Sequence, residues 1–323
     1  MKYLFLGIAC IVLLLLFMLL YSTTRKKPKR FAGTTIYISP EVPSYGNLQN
    51  AYLQLPGGQR IELTDSANVP LLKYETGISY EPRTNHLVFA PKKTPGIDSI
   101  RYYFLRTFGM HTYVASFPDG TTVWLSSDSR LYIPTTGRKD GPNMLLAGEA
   151  YFKLSEKYTA FSSAKPFILG LMDRDSCKRS LELRGKSFTV SAYPKDDSSS
   201  VEAIKGFATI KYTDGKKEKR LVKEGYRGWW QACNSALHLS HLEKDPEPAW
   251  KQDLLKFQEV SIRQVMKAVC RNYNVEVKYG TFKEQKMTIT ISRTQSLDNA
   301  LKLLYYNTGI PFIFDQGVIW VGS

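Results

Sequence analysis

The sequence predicts a mostly β protein that closes with a small α+β domain, and three observations carry that expectation. Between Phe117 and Tyr193, short aromatic or β-branched runs alternate apolar with polar residues and are bounded by Gly, Pro, Asp or Ser. Turn signals recur there at roughly 8 to 12 residues with no helical period, the pattern of an all-β sandwich or barrel. After Asp245-Pro246-Glu247-Pro248 the texture changes, and two runs with apolar residues at helical spacing interleave with strands in the order βαββαββ.

Length and composition agree with more than one core: the chain has 323 residues, 43% of them hydrophobic. The expected division is an anchor at 1–24, a juxtamembrane basic segment and N-terminal β region at 25–106, a β domain at 107–244, a linker at 245–249 and the α+β domain at 250–323. A formal net charge of +15 favours anionic neighbours such as phospholipid headgroups or envelope polyanions. Neither a zinc finger nor an RNP-type signature is present, so no nucleic-acid partner is expected.

Leu4 to Tyr21 is an unbroken uncharged run of eighteen residues. At about 1.5 Å per residue it spans roughly 27 Å, close to the hydrocarbon thickness of a bilayer, and predicts one transmembrane helix. A cleaved signal peptide would have a shorter apolar region and a small-residue cleavage site, which Leu19-Leu20-Tyr21-Ser22 does not supply. Arg25, Lys26, Lys27, Lys29 and Arg30 follow directly, and the positive-inside rule taken alone leaves the C-terminal side in the cytoplasm.

From Phe31 to about Arg106, alternations such as Tyr52-Leu53-Gln54-Leu55 and Ile61-Glu62-Leu63 around Gly57-Gly58 read as strands feeding the same β assembly. Asp119-Gly120 sits between two apolar alternations as a tight hairpin turn. Further strands follow Tyr193, with Lys211 to Lys223 as a solvated hairpin tip. In the last domain, Leu254 to Val260 is strand-like and a helix opens at Ser261. Strands follow at Val275 to Tyr279 and Met287 to Ile291, then a second helix opens at Ser296. Pro311 to Phe314 and Val318 to Val321 close as a hairpin around Gln316-Gly317.

Four signatures in order carry a family resemblance: Pro118-Asp119-Gly120-Thr121-Thr122-Val123-Trp124-Leu125, Gly148-Glu149-Ala150-Tyr151-Phe152, Lys165-Pro166-Phe167, and Gly185 through Phe188 to Tyr193. In this order they resemble the periplasmic domain of FecR family anti-sigma regulators of the Bacteroidetes type. The resemblance marks Asp119, Gly120, Trp124, Gly148, Glu149, Ala150, Tyr151, Phe152, Gly185 and Phe188 as structural motif residues. The tail, through Ala249-Trp250-Lys251, Ile289 to Arg293 and Leu297 to Leu304, resembles the secretin and TonB short N-terminal domain that ends many such proteins.

The resemblance implies a single-pass inner-membrane protein with the bulk of the chain in the periplasm, against the charge bias. It implies the signalling domain of an outer-membrane TonB-dependent transporter as partner. Full-length members carry a helical cytoplasmic domain before the span, where only three residues stand here. An ECF sigma factor is therefore expected to be reached indirectly, through a cytoplasmic domain encoded separately, unless the true start lies upstream. Val275, Val277, Met287, Ile289 and Ile291 alternate so as to bury one face and leave a strand edge, which makes them the candidate partner interface.

No H-E-x-x-H, G-x-S-x-G, P-loop or dinucleotide fingerprint occurs, and no enzyme activity, catalytic residue, metal or cofactor is expected. Some FecR-like proteins cut themselves where a hydroxyl follows the glycine of G-T-x-F. Lys186 follows Gly185 here, so that step does not carry over. Asp173 and Asp175 read as a solvated turn, and Glu149, in an apolar strand, needs a cationic partner from a neighbouring strand. His238 and His241 are three apart, the spacing of one helix face, but lack a third ligand. Cys177 and Cys233 leave a bridge open and Cys10 and Cys270 free thiols. The rival to a signal relay is a membrane-anchored envelope protein that binds a polysaccharide or other polyanion. A third reading, an envelope hydrolase, would rest on Glu149, Asp173 and Asp175.

Overall fold

The predicted alternation becomes one fifteen-stranded sheet, followed by a small α+β module. The computed structural model describes residues 51–63, 76–90, 101–135, 143–159, 165–173, 179–212, 219–231, 236–242 and 247–322. All of them belong to the unit that runs from Tyr45 to Ser323. The expected anchor at Leu4–Tyr21 lies outside the described residues, among which no helix is long and apolar enough to cross a membrane.

The first strands are β1 (Tyr52–Gln54), β2 (Arg60–Glu62), β3 (Ile78–Glu81), β4 (His86–Phe89) and β5 (Tyr102–Arg106). Next come β6 (Tyr113–Ser116), β7 (Thr122–Leu125), β8 (Arg130–Pro134), β9 (Met144–Lys153) and β10 (Phe167–Leu171). The sheet ends with β11 (Arg179–Ala192), β12 (Ser198–Tyr212), β13 (Lys219–Val222), β14 (Tyr226–Gln231) and β15 (His238–His241). The hairpin expected at Asp119-Gly120 joins β6 to β7, pairing Ser116 with Thr122. Phe117 O accepts from Gly120 N–H at 2.9 Å, and Gly120 takes a φ of 88° that a side chain would resist.

Two strands change partners halfway, which lets one sheet wrap a single core. Met144 to Ala147 of β9 run beside β8 and β10, whereas Gly148 to Lys153 run beside β7 and β11. β11 pairs with β10 before Gly185 and with β9 after it. Gly185 faces Gly206 of β12 in the ladder, at φ of 136° and 128°. A Cβ built on Gly185 would lie 2.3 Å from Lys205 O, and one on Gly206 would lie 2.3 Å from Arg184 O. Backbone therefore packs directly against backbone here, and no side chain fits between.

The last module is β16 (Leu254–Ser261), α1 (Ile262–Tyr273), β17 (Glu276–Tyr279), β18 (Lys286–Ser292), α2 (Leu297–Thr308), β19 (Phe312–Asp315) and β20 (Val318–Val321). The order is the expected βαββαββ, but its strands form two sheets rather than one: β16 with β18, and β17-β20-β19. Ser261 caps α1 in a reciprocal capping box with Gln264, and Ser296 caps α2 by accepting from Asn299 N–H. Ile262, Val265, Met266 and Val269 give α1 one apolar face, and both helices and both sheets share one core. That core is separate from the one inside the large sheet, and a third cluster of Tyr151, Ile204 and Trp250 lies apart from both.

Candidate functional site

Period-two alternation splits each signature between two faces of the large sheet. Val123, Leu125, Ala150, Phe152 and Phe188 are fully buried in its core. Trp124 and Tyr151, paired across β7 and β9, stand on the opposite face with Glu149, and their rings meet edge to face at 5.4 Å. That face is where the α+β module docks.

The segment just before β16 makes the first contact. Ala249–Gln252 forms a single 3-10 turn that leaves Trp250 6% exposed against Tyr151 and Ile204. Lys251 Nζ lies 4.5 Å from the centre of the Trp124 ring and 4.2 Å from that of Tyr151, and pairs with Glu247 at 3.1 Å. An ammonium held between two aromatic faces is attracted by both ring quadrupoles.

Arg293, directly after β18, is fully buried at the centre of the junction. Its guanidinium donates to Asn272 Oδ1 (2.9 Å) and Trp250 O (2.8 Å) within the module. It also donates to Thr112 Oγ1 (3.1 Å) and Ser127 Oγ (2.9 Å) of the large sheet's loops. All four acceptors are neutral, no described carboxylate pairs with it, and burial pulls its pKa down despite the pull of Tyr193, Asp253 and Glu149.

The seat for Arg293 is built by Gly148. A Cβ there would lie 2.5 Å from Ser129 Oγ and 2.7 Å from Ser129 Cα, so only glycine lets the Ser126–Ser129 turn close in. Ser129 Oγ accepts from Glu149 N–H at 2.9 Å, and Tyr193 Oη donates to Ser127 O at 2.9 Å. On the far side of the junction, Arg271 of α1 lies over the Tyr193 ring at 3.9 Å and bonds Asp196 at 3.1 Å. Lys267, one turn earlier, pairs with Asp197 at 3.1 Å.

No ion pair with Glu149 forms among the described residues; the cations that act on it are Arg271 of the module and Arg227 of β14, a strand that does not neighbour β9. Burial pushes its carboxyl above the usual carboxylate range, against the attraction of Arg271, the nearby Trp250 indole and Arg227. The Trp250 indole Nε1 is buried without a hydrogen-bond partner.

Other expected residues sit elsewhere. Asp119 stays at its hairpin tip: burial alone would raise its carboxyl, but Lys157 at 2.8 Å and Thr121 N–H outweigh it and leave it low. Asp173 is not a solvated turn residue. It forms a buried ion pair with Arg179 at 3.2 Å and accepts from Ser199 Oγ and Trp230 Nε1, with burial raising its carboxyl. Asp175, Cys10, Cys177 and Cys233 lie outside the described residues, and Cys270 is a free thiol. His238 and His241 lie on a strand rather than a helix, His238 stacked on Trp229 and His241 tilted against Tyr226. Among the described residues no three His, Cys, Asp or Glu side chains gather as a metal site.

Met287, Ile289 and Ile291 point into the module core, and Val275 and Val277 pack against it. What the module exposes lies on α2, β19 and β20. Tyr305, Tyr306, Ile313, Phe314 and Trp320 are exposed, from 46% to 80%. Leu297, Leu301, Tyr305, Pro311, Phe312 and Phe314 line a groove of about 680 Å³ between α2 and β19, with Asp298 and Lys302 at its rim. β19 ends its sheet, so its outer backbone edge has no described partner strand.

Residues 254–321 match the family model described as FecR, C-terminal. Two crystal structures, each of a "putative anti-sigma factor" from Parabacteroides distasonis, resemble the chain at 21% and 20% identity, both with a TM-score of 0.56. Each similarity covers 68% of this chain and 98% of the other. At that identity the likeness is one of fold. No curated protein matches the chain.

Proposed function

We propose that this FecR family protein, identified by the FecR C-terminal domain at residues 254–321, relays a signal toward a sigma factor rather than catalysing a reaction. In this reading Leu4 to Tyr21 anchors it in the inner membrane and the large sheet and module stand in the periplasm. The module receives the signalling domain of an outer-membrane TonB-dependent transporter, and an ECF sigma factor is reached indirectly. The fold similarity to anti-sigma candidates from Parabacteroides distasonis supports the pathway.

The observation that carries the reading is the free end of the docked module. Eight large apolar side chains are exposed among the described residues, and five of them fall between Tyr305 and Trp320. Such a concentration marks an interaction surface. Beside it β19 offers an open backbone edge and a groove for alternate side chains, the needs of strand addition. Val275, Val277, Met287, Ile289 and Ile291 have their side chains in or against the module core, so a contact through β17 or β18 would be made by their backbone edges.

Calorimetry tests it with the purified signalling domain of an outer-membrane TonB-dependent transporter from the same organism. The relay predicts saturable binding that weakens at least about tenfold in an Ile313→Asp, Phe314→Asp double variant, since removing one apolar anchor costs about 1–3 kcal/mol. Heat released by an envelope polysaccharide or by anionic vesicles, with none from the signalling domain, would favour the polyanion-binding rival instead.

A further inference from the structure

We infer that the large sheet carries a docking patch of Trp124, Glu149, Tyr151 and Tyr193 whose occupant is this chain's own C-terminal module. The module is held there by a charge-based latch and released as a folded body.

The two faces are complementary in charge. The module brings four cations, Lys251, Lys267, Arg271 and Arg293, and the patch meets them with aromatic rings, hydroxyls, Asp196 and Asp197. Apolar contact across the junction is small: the large-sheet core and the module core stay separate, and Tyr151, Ile204 and Trp250 make a minor cluster of their own. A folded lobe that keeps its own core loses little by leaving. Interfaces of this polar kind default to relative motion, whereas obligate ones resemble a core cut in half.

Arg293 makes the latch two-state. Docked, its buried guanidinium is satisfied only because Thr112 and Ser127 of the large sheet add two acceptors to Asn272 and Trp250 O. A half-docked position would strand a desolvated cation, so the arrangement favours fully closed or fully open with water on the guanidinium. The pairs of Lys267 with Asp197 and of Arg271 with Asp196 are partly exposed, which makes closure sensitive to salt.

The full chain labelled with 5-fluorotryptophan tests this by fluorine NMR, because its five tryptophans divide well. Trp124 and Trp250 report the junction, Trp230 the large-sheet core, and Trp320 the module. The wild type should show a minor open state on the order of 1%. Arg293→Met should raise it to the order of half, with the Trp124 and Trp250 signals moving together and those of Trp230 and Trp320 unchanged. Asp196→Lys, which touches neither core, should act in the same direction; added salt should raise the open fraction of the wild type and of Arg293→Met but relieve the repulsion in Asp196→Lys. If Trp124 and Trp250 keep their wild-type signals in both variants, or if Trp230 or Trp320 moves with them in both, the latch is overturned.

Discussion

Glu149 shows how a single side chain reports an arrangement that its own strand does not determine. The apolar setting of Gly148 to Phe152 called for a cationic partner, and alternation placed Ala150 and Phe152 in the core with Glu149 opposite. That much was legible. The charges that act on it were not, because Arg271 lies on a helix of another module, and an influence across more than a hundred residues leaves no local pattern. The same holds for Arg293 and Trp250, which stand within the family-like stretches but whose burial depends on the docked face. The raised carboxyl of Glu149 gives a signed prediction. A folded-state pKa above the unfolded one costs stability above the unfolded value, near pH 4.3, and costs nothing well below it. Glu149→Gln should therefore be more stable than wild type at pH 7, and the gap should close as pH falls below about 4. Urea midpoints across that range check it; a gap that widens toward acid pH would show that the charge is net stabilising.

At the scale of elements, turn chemistry was the most legible feature. Asp119-Gly120, Gln316-Gly317 and the caps Ser261 and Ser296 all bound their elements as read, because each satisfies backbone groups within a few residues. Long bent strands were harder to read. β11 continues through Gly185, its pairing with β12 shifts register between Gly185 and Phe188, and the residue opposite Gly185 in the ladder is Gly206, twenty-one residues on. The glycine that opens the last of the four family-like signatures thus reads as a point where two paired backbones approach closely. The prediction is that Gly185→Ala or Gly206→Ala destabilises the protein by about 3 kcal/mol or more, since the methyl meets backbone rather than a movable side chain. Gly57→Ala, where an added Cβ meets nothing within 4 Å, should change stability by less than about 0.5 kcal/mol. Equal melting shifts for the three variants would refute the close approach as a constraint. The split of the module's strands into two sheets was equally hidden, since parallel β17–β20 pairing brings together segments separated by β18, α2 and β19.

For the whole molecule, the order of the elements follows from periodicity, but the way the module sits does not. Each core closes on its own alternation, and the junction between them is written in isolated charges and rings that read from sequence as surface. Docking uses Trp250, Lys251, α1 and the end of β18, and leaves α2 and the β19 edge outward. The central claim is that this outward edge is where a signalling partner adds. The most direct measurement is a titration of the full chain with the transporter signalling domain while backbone amide resonances are followed. The account predicts shifts concentrated in Phe312 to Asp315 and along Leu297 to Tyr305, with Thr122 to Leu125 unmoved at first contact. No shift at high micromolar partner, or shifts confined to the edge of His238 to His241, would contradict it.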